Sequence, residues 1–412
     1  MRILIVSQYF WPENFRINDL ALGLQSKGYT VTVLTGMPNY PQGSFFEGYG
    51  VFKKRTEDYR GIKVLRVPLI PRGRGGFFNL IANYLSFAVT ATVLGPLYCR
   101  DRFDLIFVYE PSPITVGLPA LLLKQLKSVP IILWVQDLWP ESLSATGAIK
   151  SKPLLSVIER IVRFIYAGCD QILVQSKAFI DPIKKLGVPG EKINYFPNSA
   201  EDLYRPIARS SENVLPIDLP KGFRVMFAGN IGVAQDFQTI LDAAELLKEY
   251  DDIHWIIVGD GRMRLWVEEE IEKRQLTNTV HLAGKYPAEK MSLFFAGADA
   301  MLATLKKEPI FALTIPAKVQ SYLACARPVI AALEGEGARI IDEARAGIIC
   351  PPENPEALSH AVLAMYHIPL KERETMGERG RNYFELHFER SMLMEQLDRW
   401  MQSLGGRKKC AS

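Results

Sequence analysis

Short apolar runs alternate with segments of helical spacing along the first half of the chain. Six of these runs have the length and composition of buried parallel strands: residues 3–6, 30–34, 105–109, 131–135, 172–174 and 193–196. Residues 14–27 lie between the first two runs, carry apolar residues at helical spacing and stop at Gly28. This strand–helix–strand beginning predicts a right-handed crossover and a parallel sheet, which binds ligands at the carboxyl ends of its strands.

The second half repeats this alternation after residues 198–222, a stretch without regular periodicity that we interpret as a linker. Its apolar runs are residues 225–228, 255–258, 329–331 and 346–350, and helical patterns follow at 356–366 and 389–404. We therefore predict an α/β chain with two Rossmann-like domains, residues 1–200 and 201–385. Residues 386–404 carry one apolar stripe and are predicted to pack back on the first domain as a helix, followed by a tail, 405–412.

Residues 313–331 predict a loop, a helix and a strand with an anion site at the start of the helix. Pro316 suits the first helical turn because it lacks only an N–H that would have no partner there. Lys318 then lies where the free N–H groups and the helix dipole already favour an anion, so we predict a bound phosphate. The alternative is an ordinary helix-to-strand unit whose lysine is only solvated.

Two glycine-marked turns follow apolar runs of the second half. Gly229 and Asn230 begin the first turn, and Gly259, Asp260 and Arg262 lie in the second. Glycine lets a phosphate or a sugar approach the backbone closely, although simple turn chemistry explains each turn taken alone. Together with Lys318, three turns that tolerate anions at successive strand ends favour a ligand site.

Polar groups also mark the strand ends of the first half. Two runs end in Glu110 and in Gln136-Asp137, and Glu141 lies one helical turn after Asp137. Asp137 could accept a hydrogen bond from a sugar hydroxyl, or it could simply cap the following helix. The long loop 36–50, rich in glycine, proline and aromatic residues, is either a substrate contact or a cover for the sheet.

Charge and composition narrow the class of protein. A net charge of +4 over 412 residues, without a run of like charges, does not indicate nucleic-acid binding. Five cysteines without a pairing rhythm indicate a reducing compartment, and the N-terminus lacks the pattern of a signal peptide, so we expect a cytoplasmic protein. Residues 53–74 carry eight Lys or Arg against two acids. The apolar segment 77–98 that follows is either a buried crossover helix or an interfacial helix resting on anionic lipid.

The order of these signals resembles a known family, the family-4 retaining glycosyltransferases of the GT-B fold, which have two facing Rossmann-like domains and an inter-domain cleft. The motifs are ILIVSQYFWPEN, KGYTVTVLT, FPNS, FAGNIG, VGDGRMR, HLAGKYP, PAKVQSYLACARPVI and AGIICPPENPEAL. VSQYFWPENFRIND, TGMPNYPQG and WVQDLWPESL more narrowly resemble bacterial L-fucosamine (N-acetylfucosamine) transferases of O-antigen and capsule assembly.

The resemblance implies the transfer of a sugar, with retention, from a UDP-sugar to a saccharide on undecaprenyl diphosphate at the inner face of the membrane. The basic segment 53–74 and the helix 77–98 would contact that membrane, peripherally. No DxD sequence occurs, so neither a metal nor another cofactor is expected. The catalytic groups would be Lys318, Asp137 and Glu13. The predicted donor-binding residues are Gly229, Asn230, Gly259, Asp260, Arg262, Gly284, Lys285, Tyr286 and Ser321; Asn14, Arg16 and Glu141 would contact the acceptor or the sugar.

The sequence departs from the family pattern at several of these positions. The family's glutamate pair, which contacts the sugar and the ribose, aligns with Leu313 and Ser321. The Gly-Gly that commonly follows the first strand is replaced by residues 13–16, and a basic pair of the second domain appears as Asn230 and Gln235. We infer that Lys318, with Arg262 or Arg16, supplies the missing charge.

Two other functions are compatible with the fold. A UDP-sugar epimerase would need acid–base groups in the cleft, but no histidine lies in a glycine-marked turn, and His281 is the nearest. A non-catalytic UDP-sugar-binding partner would be consistent with the missing glutamates.

Overall fold

The computed structural model describes residues 1–51, 53–73, 76–145, 149, 151–208 and 217–406, which fall into two compact units. Unit 1 is formed by Met1–Pro197 and Met394–Ser412, and unit 2 by Asn198–Leu393. Arg74, which belongs to the basic segment, and residues 407–412 of the tail lie outside the described residues.

Unit 1 contains one eight-stranded sheet. Its strands are β1 (Arg2–Val6), β2 (Thr30–Gly36), β3 (Thr56–Tyr59), β4 (Ile62–Val67), β5 (Leu105–Glu110), β6 (Ile131–Val135), β7 (Gln171–Val174) and β8 (Ile193–Tyr195). Their order across the sheet is β3-β4-β2-β1-β5-β6-β7-β8. Neighbouring strands of this sheet pair parallel except β3 and β4, which pair antiparallel. Strand β3 therefore runs in the opposite direction, and the remaining strands all end at the same edge.

Six helices connect these strands. They are α1 (Arg16–Ser26), α2 (Phe77–Tyr98), α3 (Gly117–Lys127), α4 (Glu141–Ala145), α5 (Lys152–Gly168) and α6 (Ile180–Lys185). Helix α3 stops at Ser128, whose φ of 51° breaks the helix, and α5 begins with a proline in its first turn. Helix α2, the long crossover after β4, packs against α3 and against the strands β2 and β4.

Unit 2 contains a six-stranded sheet in which all pairs are parallel. Its strands are β9 (Phe223–Asn230), β10 (Ile253–Asp260), β11 (Val280–Gly284), β12 (Ala300–Thr304), β13 (Val329–Ala332) and β14 (Gly347–Cys350). The order β11-β10-β9-β12-β13-β14 puts β9 in the middle. Aromatic side chains of β9 and β10 form the centre of this core, with Phe227 and Trp255 each 1% exposed.

The helices of unit 2 lie between and after these strands. They are α7 (Phe237–Leu246), α8 (Arg264–Lys273), α9 (Met291–Gly297), α10 (Pro309–Ala312), α11 (Ala317–Ala324), α12 (Glu336–Ala344), α13 (Pro355–His367) and α14 (Leu370–His387). The last helix, α15 (Arg390–Gly406), begins in unit 2 and continues into unit 1. In unit 1 its Trp400 ring packs against Phe196 at a centroid distance of 5.9 Å, and Asp398 accepts a hydrogen bond from Tyr29.

Two strands of unit 1 were not predicted, and they change the meaning of the basic segment. Residues 56–59 and 62–67 of this segment form β3 and β4, and Arg66 of β4 is fully buried. Its guanidinium is ion-paired with Glu57 and donates to the carbonyl of Gly36 at 3.1 Å. The expectation that this whole segment is a cationic surface was therefore wrong for Arg66, because its charge is neutralised inside the unit.

Helix α2 coincides with the predicted apolar segment, and its two sides differ. Among the described residues it is the one helix long and apolar enough to cross a bilayer by length and composition. Only 28% of its apolar stretch is buried. On its inner side Asn83 is fully buried, accepts a hydrogen bond from Gln8 and donates one to the Ile70 carbonyl. The outer side exposes a stripe at spacings of four residues: Leu85, Val89, Val93 and Leu97, each 53–61% exposed.

Candidate functional site

The ends of β9 and β10 lie side by side and leave no room for a side chain at Gly259. Gly229 pairs with Gly259, and the φ angles of the two residues are 142° and 151°. A Cβ added at Gly259 would lie 1.8 Å from the carbonyl oxygen of Gly229. Glycine is thus required here by backbone contact as well as by φ. Both glycines were predicted to lie in turns, whereas the structure places them near the ends of strands.

Asn230 and Asp260 are exposed at the strand ends and brace the turns that follow. The carboxylate of Asp260 accepts the N–H of Gly261 at 2.8 Å, and its carbonyl accepts the N–H of Ile231 at 2.9 Å. The amide of Asn230 donates to Gln235 at 3.4 Å. These bonds fix the two turns against each other at the carboxyl edge of the sheet, where parallel sheets bind ligands.

Lys318 reaches this edge from the second position of α11, as the sequence predicts. Its Nζ is buried, has no hydrogen-bond partner within the described part of the chain, and lies 3.7 Å from the centroid of the Phe227 ring. A Cβ added at Gly229 would lie 3.8 Å from it. Burial lowers the pKa of this amine from 10.5 to about 7, because an ammonium ion loses its hydration there. A buried cation beside a bare backbone is suited to an anion that supplies the missing partner.

Tyr322 holds α11 in place, and the sequence reasoning did not identify it. Its hydroxyl lies 3.1 Å from both the N–H and the carbonyl oxygen of Ala228, the residue before Gly229. Tyr322 follows Lys318 by four residues, so both side chains project from the same side of α11. That spacing was the available signal, but an aromatic residue on an apolar helix face usually indicates only core packing.

The other predicted donor residues differ in what they contact. Gly284 ends β11 with φ 86°, Lys285 is exposed, and the ring of Tyr286 packs on Phe294 at 4.7 Å. Arg262 is exposed in the turn after β10. The hydroxyl of Ser321 donates to the carbonyl of Ala317 within α11, at 3.2 Å.

In unit 1, Glu13 is buried and supports a loop. Its carboxylate accepts N–H groups of Asn39 and Tyr40, each at 2.8 Å, and of Phe10 at 3.3 Å. Burial raises its pKa to about 7, and these three donors and Arg66 oppose the shift. We interpret Glu13 as a positioning residue for the start of the loop 37–46. Its proposed catalytic role stays a prediction. Of the other acceptor candidates nearby, Asn14 is exposed and Arg16 begins α1.

Asp137 and Glu110 form an acidic pair at the ends of β6 and β5. Asp137 accepts a hydrogen bond from Trp139 Nε1 at 3.1 Å, and burial raises its pKa. Glu110 is completely buried, and burial followed by the charge of Asp137 raises its pKa well above the usual range. Neither of its carboxylate oxygens accepts a hydrogen bond of normal geometry from the described residues. Glu141 begins α4, half-buried, with a pKa raised by burial.

No group of three or more His, Cys, Asp or Glu side chains is arranged to hold a metal ion within the described ranges. That the reaction needs no metal stays a prediction from the sequence.

Two protein families match this chain, one in each half. Residues 14–199 match the family described as "Glycosyl transferase 4-like domain". Residues 222–367 match the family described as "Glycosyl transferases group 1".

Two named relatives come from bacterial systems. WbjE of Pseudomonas aeruginosa, provisionally named a glycosyltransferase, is 29% identical over 236 residues, which are 56% of this chain and 58% of WbjE. The chain thus matches less than two thirds of the length of that relative. WcaI of Escherichia coli (strain K12), provisionally named a colanic acid biosynthesis glycosyl transferase, is 24% identical over 68% of this chain and 70% of its own length.

Solved structures share the fold over nearly the whole chain. Sucrose-phosphate synthase from Thermosynechococcus elongatus superposes with a TM-score of 0.71 at 16% identity, covering 98% of this chain and 99% of that one. Anabaena HepE in complex with UDP gives 0.69 at 17% identity, with 98% and 100% covered. The predicted fold class, two Rossmann-like α/β domains of the GT-B fold, is confirmed.

Proposed function

We propose that this chain, whose two halves match the glycosyl transferase 4-like and glycosyl transferases group 1 families, transfers a sugar from a UDP-sugar to a lipid-linked saccharide, with retention. The sugar we propose is N-acetyl-L-fucosamine, and the acceptor is a saccharide on undecaprenyl diphosphate in O-antigen or capsule synthesis. The motifs that resemble fucosamine transferases support the sugar, and WcaI, named for colanic acid biosynthesis, supports a surface polysaccharide.

The observation that carries the proposal is the buried Nζ of Lys318, which lies beside Gly229 and has no hydrogen-bond partner in the described ranges. A diphosphate seated on the ends of β9 and β10 would accept a charge-assisted hydrogen bond from this amine and would meet the N-terminus of α11. The solved structure of HepE with UDP supports UDP as the nucleotide. In the proposed site, Gly284 to Tyr286 lie beside the uracil, and Arg262 adds positive charge.

In the proposed reaction the bond between the sugar C1 and the diphosphate oxygen breaks while the acceptor oxygen bonds to C1 from the same face. The proton of the acceptor hydroxyl passes to the departing diphosphate. Lys318 stabilises the charge that develops on that diphosphate, which is the main demand of the step. The proposal assigns this positive charge to protein groups and includes no metal.

We further propose that the chain acts at the inner face of the cytoplasmic membrane. The exposed stripe Leu85, Val89, Val93 and Leu97 on α2 gives an apolar surface that can rest at the boundary of headgroups and acyl chains. Exposed Lys and Arg of the 53–73 region, Lys54 and Arg60 among them, provide charge for anionic lipid. Helix α5 adds exposed apolar and basic residues, with Phe164 63% exposed and Arg160 exposed.

The test is mass spectrometry of products from a panel of UDP-sugars, including UDP-N-acetyl-L-fucosamine, with undecaprenyl-diphosphate-linked N-acetylglucosamine. A mass gain of one N-acetyl-deoxyamino sugar is the expected result. Gain from another donor would correct the sugar but keep the reaction, whereas no gain from any donor would contradict transfer to this acceptor.

A non-catalytic UDP-sugar-binding partner is the second candidate, and Ser321 favours it. At this position, where the resembled family has a glutamate, the hydroxyl is directed to the carbonyl of Ala317 within its own helix. Binding of UDP without turnover on any acceptor would support this candidate. The epimerase alternative is disfavoured because His281 lies away from the glycine turns. It contacts His254 at 3.2 Å, at the amino end of β10, whereas the glycine turns follow the carboxyl ends of the strands.

A further inference from the structure

Three aromatic rings lie beside one arginine at the carboxyl edge of the unit 1 sheet, and a fourth ring packs on two of them. The rings of Tyr9 and Phe15 stack at a centroid distance of 4.8 Å, and the ring of Tyr40 lies 5.9 Å and 5.3 Å from them. The guanidinium of Arg72 lies over Tyr9, Tyr40 and Tyr84 at 5.9, 5.0 and 5.9 Å. We call this group, Tyr9, Phe15, Tyr40, Tyr84 and Arg72, the Arg72 basin.

The Arg72 basin is open and its charge is not neutralised. Tyr40 is 39% exposed, and Phe15, Tyr84 and Arg72 are only half-buried. Nη1 of Arg72 donates to the hydroxyl of Tyr9 at 3.2 Å. Over the described part of the chain, no carboxylate forms an ion pair with Arg72. A guanidinium held over aromatic faces keeps donors in a fixed fork that fits a phosphate.

A buried polar frame fixes the Arg72 basin from below. Asn39 Oδ1 accepts the backbone N–H of Arg72 at 3.1 Å and the amide of Asn83 at 3.3 Å. Glu13 accepts the N–H groups of Asn39 and Tyr40. Tyr40 and Arg72 therefore sit on backbone anchored to β1, β2 and α2, so the basin is preorganised, which reduces the ordering cost of binding.

We propose that the Arg72 basin binds the saccharide–diphosphate head of the lipid-linked acceptor, an inference that rests on the proposed function. Aromatic faces such as Tyr40 pack on the C–H face of a sugar ring, and Arg72 binds the diphosphate. In this proposal the lipid then leaves along α2, because this helix carries both Tyr84 of the basin and the exposed apolar stripe that begins at Leu85. One surface thus meets the sugar, the charge and the chain of the same molecule.

The kinetic test uses Arg72→Gln in the full chain. We expect the KM for the acceptor to rise at least tenfold, while kcat and the KM for the donor change less than twofold. Arg379→Gln is the matched control, because it removes the same charge from an exposed arginine of α14, in unit 2, that has no part in the proposed donor, acceptor or membrane sites. An acceptor KM of Arg72→Gln equal to that of the control would overturn the proposal.

Tyr40 gives an independent variant because its ring is exposed and its loss should not disturb folding. Tyr40→Ala should raise the acceptor KM, and Tyr40→Phe should restore it, since stacking on a sugar needs the ring and not the hydroxyl. If alanine and phenylalanine at this position give the same acceptor KM, the aromatic part of the proposal is wrong.

A binding measurement separates this inference from the proposed reaction. Calorimetry would compare a soluble probe, farnesyl-diphosphate-linked N-acetylglucosamine, with inorganic pyrophosphate and with free N-acetylglucosamine. Binding of the linked probe that is lost in Arg72→Gln supports the basin even if no donor gives product. Product formation by the wild type with unchanged probe binding in Arg72→Gln keeps the reaction and overturns the basin. Pyrophosphate binding as tight as that of the linked probe would reduce the basin to a phosphate site.

Discussion

At the scale of single residues, Lys318 has the clearest consequence. Its amine is buried and has no hydrogen-bond partner among the described residues, so the free chain bears a desolvation cost that the proposed diphosphate would remove. In the proposed reaction this arrangement would favour the charged transition state, in which the leaving diphosphate gains negative charge beside the amine.

Lys318→Met should lower kcat by about 100-fold or more, because the group that stabilises the leaving diphosphate is lost. The free energy of unfolding at pH 6 should not fall, and we expect a gain of about 1 kcal/mol as a buried charge is replaced by an apolar chain. Product assays and urea denaturation measure the two quantities. Lys290→Met is the matched control, since Lys290 lies at the start of helix α9 but is exposed. Wild-type activity in Lys318→Met would remove the phosphate assignment.

The pKa of Lys318 also makes UDP binding depend on pH. In the free chain this pKa is about 7, against 10.5 for an unperturbed lysine, so above pH 7 the amine is mostly neutral until a diphosphate recharges it. The affinity for UDP should therefore fall as pH rises from 7.5 to 9, by up to about tenfold per pH unit. Calorimetry in buffers of different ionisation enthalpy should detect proton uptake approaching one per UDP at pH 8. Lys318→Arg, which stays charged, should show neither effect; uptake that persists in this variant would contradict the assignment.

Lys318 also shows which features of the candidate site could be predicted from the sequence. Pro316 and the helical spacing after it predicted the start of α11 and the position of Lys318, because these are local properties. The burial of its Nζ depends on the ring of Phe227 in β9, a contact distant in sequence that no local pattern contains. Glu13 is a similar case: its position after β1 was visible, whereas its bonds to Asn39 and Tyr40 come from a loop after another strand.

At the scale of elements, α11 is held against β9 by Tyr322. The hydroxyl satisfies the buried backbone of Ala228, so it fixes the helix that carries Lys318 relative to the strand that ends at Gly229. Placement of the cation therefore depends on one side-chain anchor.

Tyr322→Phe should cost about 1–3 kcal/mol of the free energy of unfolding, because it leaves a buried N–H without its partner. The KM for the UDP-sugar should also rise, since α11 loses the bond that sets its distance from β9. Tyr366→Phe is the control: its hydroxyl bonds to Asp252 at the surface, and its loss should change both quantities little. Equal effects of the two substitutions, in denaturation and in donor kinetics, would contradict the anchoring role.

Helix α2 carries the membrane proposal at this scale. Val89→Asp with Val93→Asp should lower binding to vesicles of anionic lipid by about tenfold or more, because two carboxylates would enter the apolar boundary. Flotation of vesicles with the bound protein measures this loss. Leu246→Asp with Leu265→Asp, which alters exposed leucines of unit 2, is the matched control and should bind like the wild type. Unchanged flotation of the α2 variant would exclude this stripe as the membrane contact.

The elements differ in how well the sequence revealed them. The bounds of α2 were predicted to the residue, and β1, β2, β5 and β6 to within two residues, because each is a strong apolar run. Strands β3 and β4 were not predicted because their charged residues interrupt the alternation of apolar and polar positions. Arg66 in particular points inward and forms an ion pair with Glu57. A buried ion pair of this kind cannot be recognised before the partner strand is known.

At the scale of the whole molecule, the two units carry different parts of the proposed reaction. The residues proposed for the donor lie in unit 2, and the Arg72 basin and the α2 stripe lie in unit 1. Ligand binding to each unit can therefore be measured separately in the intact chain.

Saturating UDP should slow amide hydrogen exchange in unit 2 at the ends of β9 and β10 and at the start of α11, as a ligand stabilises the segments it binds. Exchange measured by mass spectrometry on the full chain would locate the protection. In Lys318→Met the protection should shrink strongly at all three places. Protection centred instead on His254 and His281 would place the nucleotide away from the proposed site.

Unit 1 is discontinuous in the chain, and this affects how the protein is made. Its final piece, Met394–Ser412, leaves the ribosome only after the whole of unit 2 has been synthesised. Until then Phe196 cannot contact Trp400 and Tyr29 cannot bond to Asp398, so an apolar face of unit 1 stays exposed to solvent. Loss of the last helix by early termination would leave that face permanently open, and such fragments should aggregate even though every residue assigned to the two sites is present.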